Sequence, residues 1–78
     1  MSRYPFKVKW CPLCSQGWVE IVKRVEDGKL LLCCSECEAE WDDPREISRE
    51  RAQRSPSRVM DPEPEEVETI GWNEFVIR

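Results

Sequence analysis

Apolar and polar positions along the chain alternate at a strand-like period before and between turn signals. Tyr4-Pro5-Phe6-Lys7-Val8-Lys9-Trp10 alternates in part and reads as an extended arm or short strand. Residues 18–25, Trp18-Val19-Glu20-Ile21-Val22-Lys23-Arg24-Val25, are rich in β-branched side chains and predict a strand. Val19, Ile21 and Val25 fall on one face of it, with Lys23 as the exception. Glu26-Asp27-Gly28-Lys29 supplies an Asp-Gly turn, a strong hairpin signal. Leu30-Leu31-Leu32-Cys33 is then the return strand, and Glu38-Ala39-Glu40-Trp41 predicts a short third one.

Beyond Trp41 the pattern changes. Asp43, Pro44 and Glu46 stand at the N-cap, N1 and N3 positions of a helix start, which predicts a helix reaching Arg54. Its only apolar residues are Ile47 and Ala52, a poor packing face. Ser-Pro-Ser, Asp-Pro and Glu-Pro steps mark a linker. Val67 to Arg78 becomes apolar again, through Ile70, Trp72, Phe75, Val76 and Ile77. Trp72, Phe75 and Val76 fit a helical turn, whereas Phe75 and Ile77 fit one face of a strand. Periodicity does not decide over so few residues. So apolar a tail is expected to dock on the rest of the chain. The expected organisation is a first unit over residues 1–54, a proline-rich acidic linker over 55–66, and an aromatic tail over 67–78 packing back on the first unit.

Five cysteines in 78 residues add the chemistry. Cys11-Pro12-Leu13-Cys14 and Cys34-Ser35-Glu36-Cys37 are two C-x2-C pairs, and the hairpin between them returns the second pair to the first. Pro12 has a fixed φ and helps preset the first turn. Ser15 stands where glycine commonly follows the second cysteine of such a turn. Two turns supply four sulfurs, which suits the tetrahedral preference of Zn²⁺. One structural Zn²⁺ per chain, held by Cys11, Cys14, Cys34 and Cys37, is therefore expected. Iron is the alternative in heterologously expressed protein, since tetrahedral sulfur sites accept both. Cys33 with Cys37 would be a C-x3-C pair, the second choice to Cys34. On a strand Cys33 and Cys34 point to opposite faces, which makes Cys33 a small packing residue. A domain this short often needs such a staple.

Composition narrows the function classes. There is no histidine, which removes the commonest general base and every Cys-His or Ser-His pair. The glycines at 17, 28 and 71 form no phosphate-binding loop. Redox work by one C-x2-C would need a βαβ setting that the pattern does not offer. An enzyme, and with it a small-molecule substrate, is not expected. No apolar run is long enough for a membrane span, and the first residues carry no signal-peptide pattern. A cytoplasmic, reducing setting is the expectation.

Net charge is −4, arranged in blocks: +3 over residues 1–32, −5 over 33–47, +3 over 48–58 and −5 over 59–78. No dominant basic face of the kind a nucleic-acid binder shows stands out. Arg49, Arg51, Arg54 and Arg58 could contact phosphates, but such a run more often marks a solvated face. Of the four tryptophans, Trp10, Trp18 and Trp41 flank the cysteine pairs and are expected to shield the site and form most of the core. Trp72 is a candidate for either docking the tail or marking an interface, and Phe75 is a further candidate for both roles.

Cys11-Pro12-Leu13-Cys14 with Gly17, a hairpin, and then Cys34 to Glu38 with Trp41 resemble the zinc ribbons. The likeness is to small bacterial zinc-ribbon proteins of uncharacterised function that pair CPxC-type and CxEC-xxxW-type knuckles and end in an aromatic tail. It covers residues 8–47, with the tail a weaker echo. It implies a small, metal-stapled, mostly-β or α+β fold: two knuckles joined by a β-hairpin, a third short strand, a short helix and a docked tail. Zinc ribbons in general serve transcription, translation or protein assembly. The leading expectation is a non-catalytic protein-interaction module, with regulation as one use. The alternatives are a nucleic-acid-binding ribbon using Lys7, Lys9, Lys23, Arg24, Lys29 and the arginine block, and a small acidic inhibitor or immunity-like protein that masks a basic partner.

Overall fold

The computed structural model describes residues 6–53 and 58–77. Its centre is the antiparallel pair of β2 (Trp18–Arg24) and β3 (Leu30–Cys34), in register from Val19 opposite Cys34 to Lys23 opposite Leu30. The turn between them is longer than a two-residue Asp-Gly loop, since the backbone pair Arg24–Lys29 encloses residues 25–28. Arg24 donates to Lys29 O at 2.8 Å, Lys29 N donates to the Asp27 carboxylate, and Gly28 takes a φ of +73° that suits a residue without Cβ. Val25 falls in this turn and is exposed, not on the inner face expected of it.

On one edge of β2 lies β1 (Lys7–Trp10), with a bulge between Lys7 and Lys9. Outside β3 lies β4 (Glu40–Trp41), and the backbone of Glu40 pairs onward with Gln53. The sheet order is β1-β2-β3-β4, and β5 (Val59–Met60) pairs with the far end of β2.

Period-two alternation sorts the side chains. Val19, Ile21, Leu30, Leu32, Cys34 and Trp41 share a buried cluster with Cys11, Ala39, Ile47, Val67 and Trp72. Trp41 is the largest fully buried side chain, and its indole N–H donates to Ser48 O at 2.8 Å. The core is mainly aliphatic, since Trp10 is 46% exposed. Trp10 instead sits edge-on to Trp18, ring centroids 5.0 Å apart, and Lys7 lies over the Trp18 ring. On the opposite sheet face, the register lines up Glu20, Cys33 and Glu40 across three strands.

Two expectations about the second half need correction. The helix after Asp43 is a single 3-10 turn, Pro44–Glu46, and does not reach Arg54, which lies outside the described residues. Asp43 does cap it, its carboxylate accepting from Arg45 N at 2.8 Å. Ile47 then turns into the core in an extended conformation, and Gln53 spends its backbone groups on Glu40. With Ile47 and Ala52 five residues apart, no helical face could bury both, so core burial and strand pairing prevail. The linker read over 55–66 holds β5 and the start of helix α1 (Pro64–Ile70), while residues 55–57 lie outside the described residues. Glu66 accepts from Glu63 N at 2.9 Å, and Gly71, at φ +83°, ends the helix with Trp72 N donating to Val67 O.

Of the two roles open to Trp72, the packing matches docking of the tail. Trp72 is 6% exposed and lies in the core with Val67, so it anchors the tail from within and is not free to form an outer interface. Phe75, in a 3-10 turn over Asn73–Phe75, is partly buried beneath the Arg45 guanidinium. Lys23 ties β2 to α1 through Glu66 at 3.1 Å, and Ile77 N donates to Lys7 O at 2.8 Å.

Two predictions follow from this packing. Trp72→Ala should destabilise the protein by about 3–5 kcal/mol in urea unfolding, the usual range for a buried large aromatic. A change within error of wild type would show that the tail is not part of the core. Glu20, pushed up to about 7 by burial and then by Asp61, supplies the second. A raised carboxyl costs the folded state nothing at pH values below its ordinary titration, and penalises it as pH rises through the folded value. The stability gained by Glu20→Gln should therefore grow between about pH 5 and pH 8. A gain that stays flat across this window would contradict the placement of Glu20.

Candidate metal centre

Each cysteine pair sits in a tight turn closed by its own backbone. Cys11 N donates to Gly17 O at 2.9 Å, and Cys34 N donates to Ala39 O at 2.9 Å. In both turns the residue after the second cysteine takes a positive φ: Ser15 at +53° and Glu38 at +61°. Ser15 thus adopts the conformation for which glycine is the common choice, at the steric cost of its Cβ.

The turns meet because β2 leaves one and β3 enters the other. Ser35 N donates to Trp18 O at 3.0 Å, and Trp18 N donates to Ser35 Oγ at 3.2 Å. Gly17 lies at this seam. A Cβ there would fall 2.5 Å from Glu36 Cγ and 2.9 Å from Ser35 Oγ, so a side chain would have to displace Glu36 and Ser35.

The sulfurs of Cys11, Cys14, Cys34 and Cys37 all lie within 4.8 Å of one another. Cys11 and Cys37 are 3.8 Å apart, Cys14 and Cys34 3.6 Å. Metal–sulfur bonds of about 2.3 Å in a tetrahedron give an edge of about 3.8 Å. The four side chains expected as ligands are thus brought to the spacing that one metal ion needs. Cys11 and Cys34 are buried, while Cys14 and Cys37 are partly exposed.

Backbone amides prepare the sulfurs for negative charge. Glu36 N and Cys37 N both point at Cys34 Sγ, at 3.4 and 3.5 Å. The Gln16 amide is the main influence that lowers Cys14, to about 7. Burial dominates at Cys34 and pushes its thiol up to about 12, against those two amides. Burial without a neighbouring cation raises a thiol, whereas amide donors lower it.

Cys33 lies apart from this cluster. Its side chain is on the other sheet face, between the registers of Glu20 and Glu40, and its Sγ donates to Cys34 O at 3.5 Å. Burial, then Glu40 and Glu20, push its thiol up to about 12, which makes it a poor nucleophile. The Glu20–Cys33–Glu40 row, with Glu40 buried and the other two partly buried, was not visible as a feature in the sequence. Its alternation could have suggested it, but the register between β3 and β4 had to be known.

Compared with known proteins, the chain matches no family model, no curated protein and no solved structure. The site therefore stands on its own geometry, which discriminates between the adjacent cysteines. Cys33→Ala should retain bound metal at a packing cost of about 1 kcal/mol, while Cys34→Ser should lose it. Metal content measured on both purified variants checks this, and the reverse outcome would exchange the two assignments.

Proposed function

We propose that the chain is a non-catalytic protein-interaction module whose fold is stapled by one structural Zn²⁺ on Cys11, Cys14, Cys34 and Cys37. The observation that carries the metal assignment is the convergence of four cysteine sulfurs within 4.8 Å of one another, with two of the separations at 3.6 and 3.8 Å. An all-sulfur set favours zinc, with iron the competitor under heterologous expression. Four protein ligands close the coordination shell and leave no position for a substrate or an activated water, the arrangement of a structural site. Five unpaired cysteines fit a reducing compartment, in keeping with a cytoplasmic role. Among the described residues no helix is long and apolar enough to cross a membrane.

Charge placement supports a protein partner over a nucleic acid. Lys23, Arg24, Lys29, Arg45 and Arg51 each lie in an ion pair with a carboxylate of the chain itself. Three of the bases that a nucleic-acid reading would use are thus partly neutralised locally, as is one of the arginine block. Phosphate binding needs cations free to replace counterions. A reading as a small acidic inhibitor of a basic partner is a narrower form of the same proposal.

Elemental analysis of the purified protein should give one zinc per chain, and Cys37→Ser should abolish it. Zinc content unchanged in Cys37→Ser would contradict the ligand set. Binding to generic RNA or DNA that weakens steeply with salt would contradict the functional class, because such binding needs a free basic surface.

A further inference from the structure

An open groove of about 610 Å³ runs between the hairpin tip and helix α1. One wall is the turn at residues 28–30, and the other is Glu65, Glu66, Thr69 and Ile70. Leu30, in the core cluster, contributes to its apolar lining, and Ile70, 43% exposed, offers a branched apolar side chain at the opposite wall. Gly28 adds no side chain to narrow the mouth. The volume falls in the range of side-chain and ligand pockets.

The charges around the groove are one-sided. Residues 61–70 carry Asp61, Glu63, Glu65, Glu66 and Glu68 and no base. Glu66 is held below the ordinary carboxylate range by the Glu63 amide and then by Lys23, with which it pairs. Glu65 and Glu68 have no ion pair among the described residues. Lys29, the one base lining the groove among the described residues, faces Asp42 at 3.8 Å and is already partnered. The groove is an apolar slot with an acidic wall.

We propose that this groove binds a basic peptide segment of a protein partner, seating one branched apolar side chain between Leu30 and Ile70 while a flanking Lys or Arg faces Glu65. The assignment rests on the interaction-module reading and names the chemistry of its partner. Charge complementarity selects the occupant. A second copy of the chain would bring one acidic α1 against another, and a nucleic acid would bring phosphates to the same carboxylates. Like charges at close range disfavour both.

The test uses the full zinc-loaded chain, ¹⁵N-labelled, titrated with three synthetic peptides: acetyl-Lys-Lys-Leu-Lys-Lys-amide, its serine-centred counterpart, and acetyl-Glu-Glu-Leu-Glu-Glu-amide. The first should shift amides of residues 28–30 and 65–70, and the other two should not. Glu65→Gln should weaken that binding roughly three-fold, in line with an exposed charge pair. Ile70→Ser should weaken it roughly ten-fold, in line with loss of an apolar contact. Ile70 is exposed enough that this variant is expected to fold.

Equal shifts from both basic peptides, shifts from the acidic peptide, or no shift at the groove would overturn the proposal. So would concentration-dependent self-association that maps to the same residues. An identified protein partner that binds wild type, Glu65→Gln and Ile70→Ser alike would overturn the groove and leave the interaction-module reading standing. Binding to RNA in place of any protein would instead overturn that underlying reading.

Discussion

The meeting of two cysteine turns at one point is the constraint on which the rest of this structure depends. Four sulfurs within 4.8 Å are tolerable as thiolates only around a cation, because like charges at that spacing repel in a partly buried site. The hairpin serves this requirement. Its register places Val19 opposite Cys34, and Trp18 and Ser35 exchange hydrogen bonds at the seam. Gly17 makes the close approach sterically feasible, and the positive φ values of Ser15 and Glu38 close the turns. A proposed zinc ion would convert this local arrangement into a folding restraint, since its binding free energy becomes folding free energy where no site exists in the unfolded chain.

Around that point the chain assembles a core from distant segments. Ile47 joins the sheet face from one distant stretch of sequence, and Val67 and Trp72 join it from another. The tail closes the layer: α1 is tied by Lys23–Glu66, and Trp72 fills the space behind it. Apolar area is scarce in so short a chain, so the core has to draw on segments far apart in sequence. What remains outside, including Trp10, Val25, Met60 and Ile70, is exposed surface on which a partner could act.

Much of the first half was legible in the sequence. The β-branched run, the Asp-Gly turn and the spacing of the cysteines depend on local chemistry, and β2, β3 and the sulfur cluster stand where these features indicated. Asp43 was legible as a cap for the same reason. Its helix was not, because the competing partners of that segment, Gln53 with Glu40 and Ile47 with the core, come from tertiary pairing. Pro64 illustrates the same point in reverse. It read as part of a linker, yet proline is well suited to the first turn of a helix, and Glu63, Glu66 and Gly71 frame that helix at both ends. The fate of Trp72 was likewise undetermined, since an exposed hot spot and a core anchor share one residue type.

The central claim is that the metal at the cysteine cluster organises the sheet and the packed tail. The direct measurement is a ¹H–¹⁵N spectrum recorded while a chelator removes the ion and again after zinc is restored. The account predicts collapse of the dispersed signals from Cys11–Ser15, Cys34–Glu38 and the β2–β3 pair, with the Trp72 indole losing its buried environment, and full recovery on adding a single equivalent of zinc. A spectrum that stays dispersed through the hairpin and the tail in the metal-free protein would contradict it.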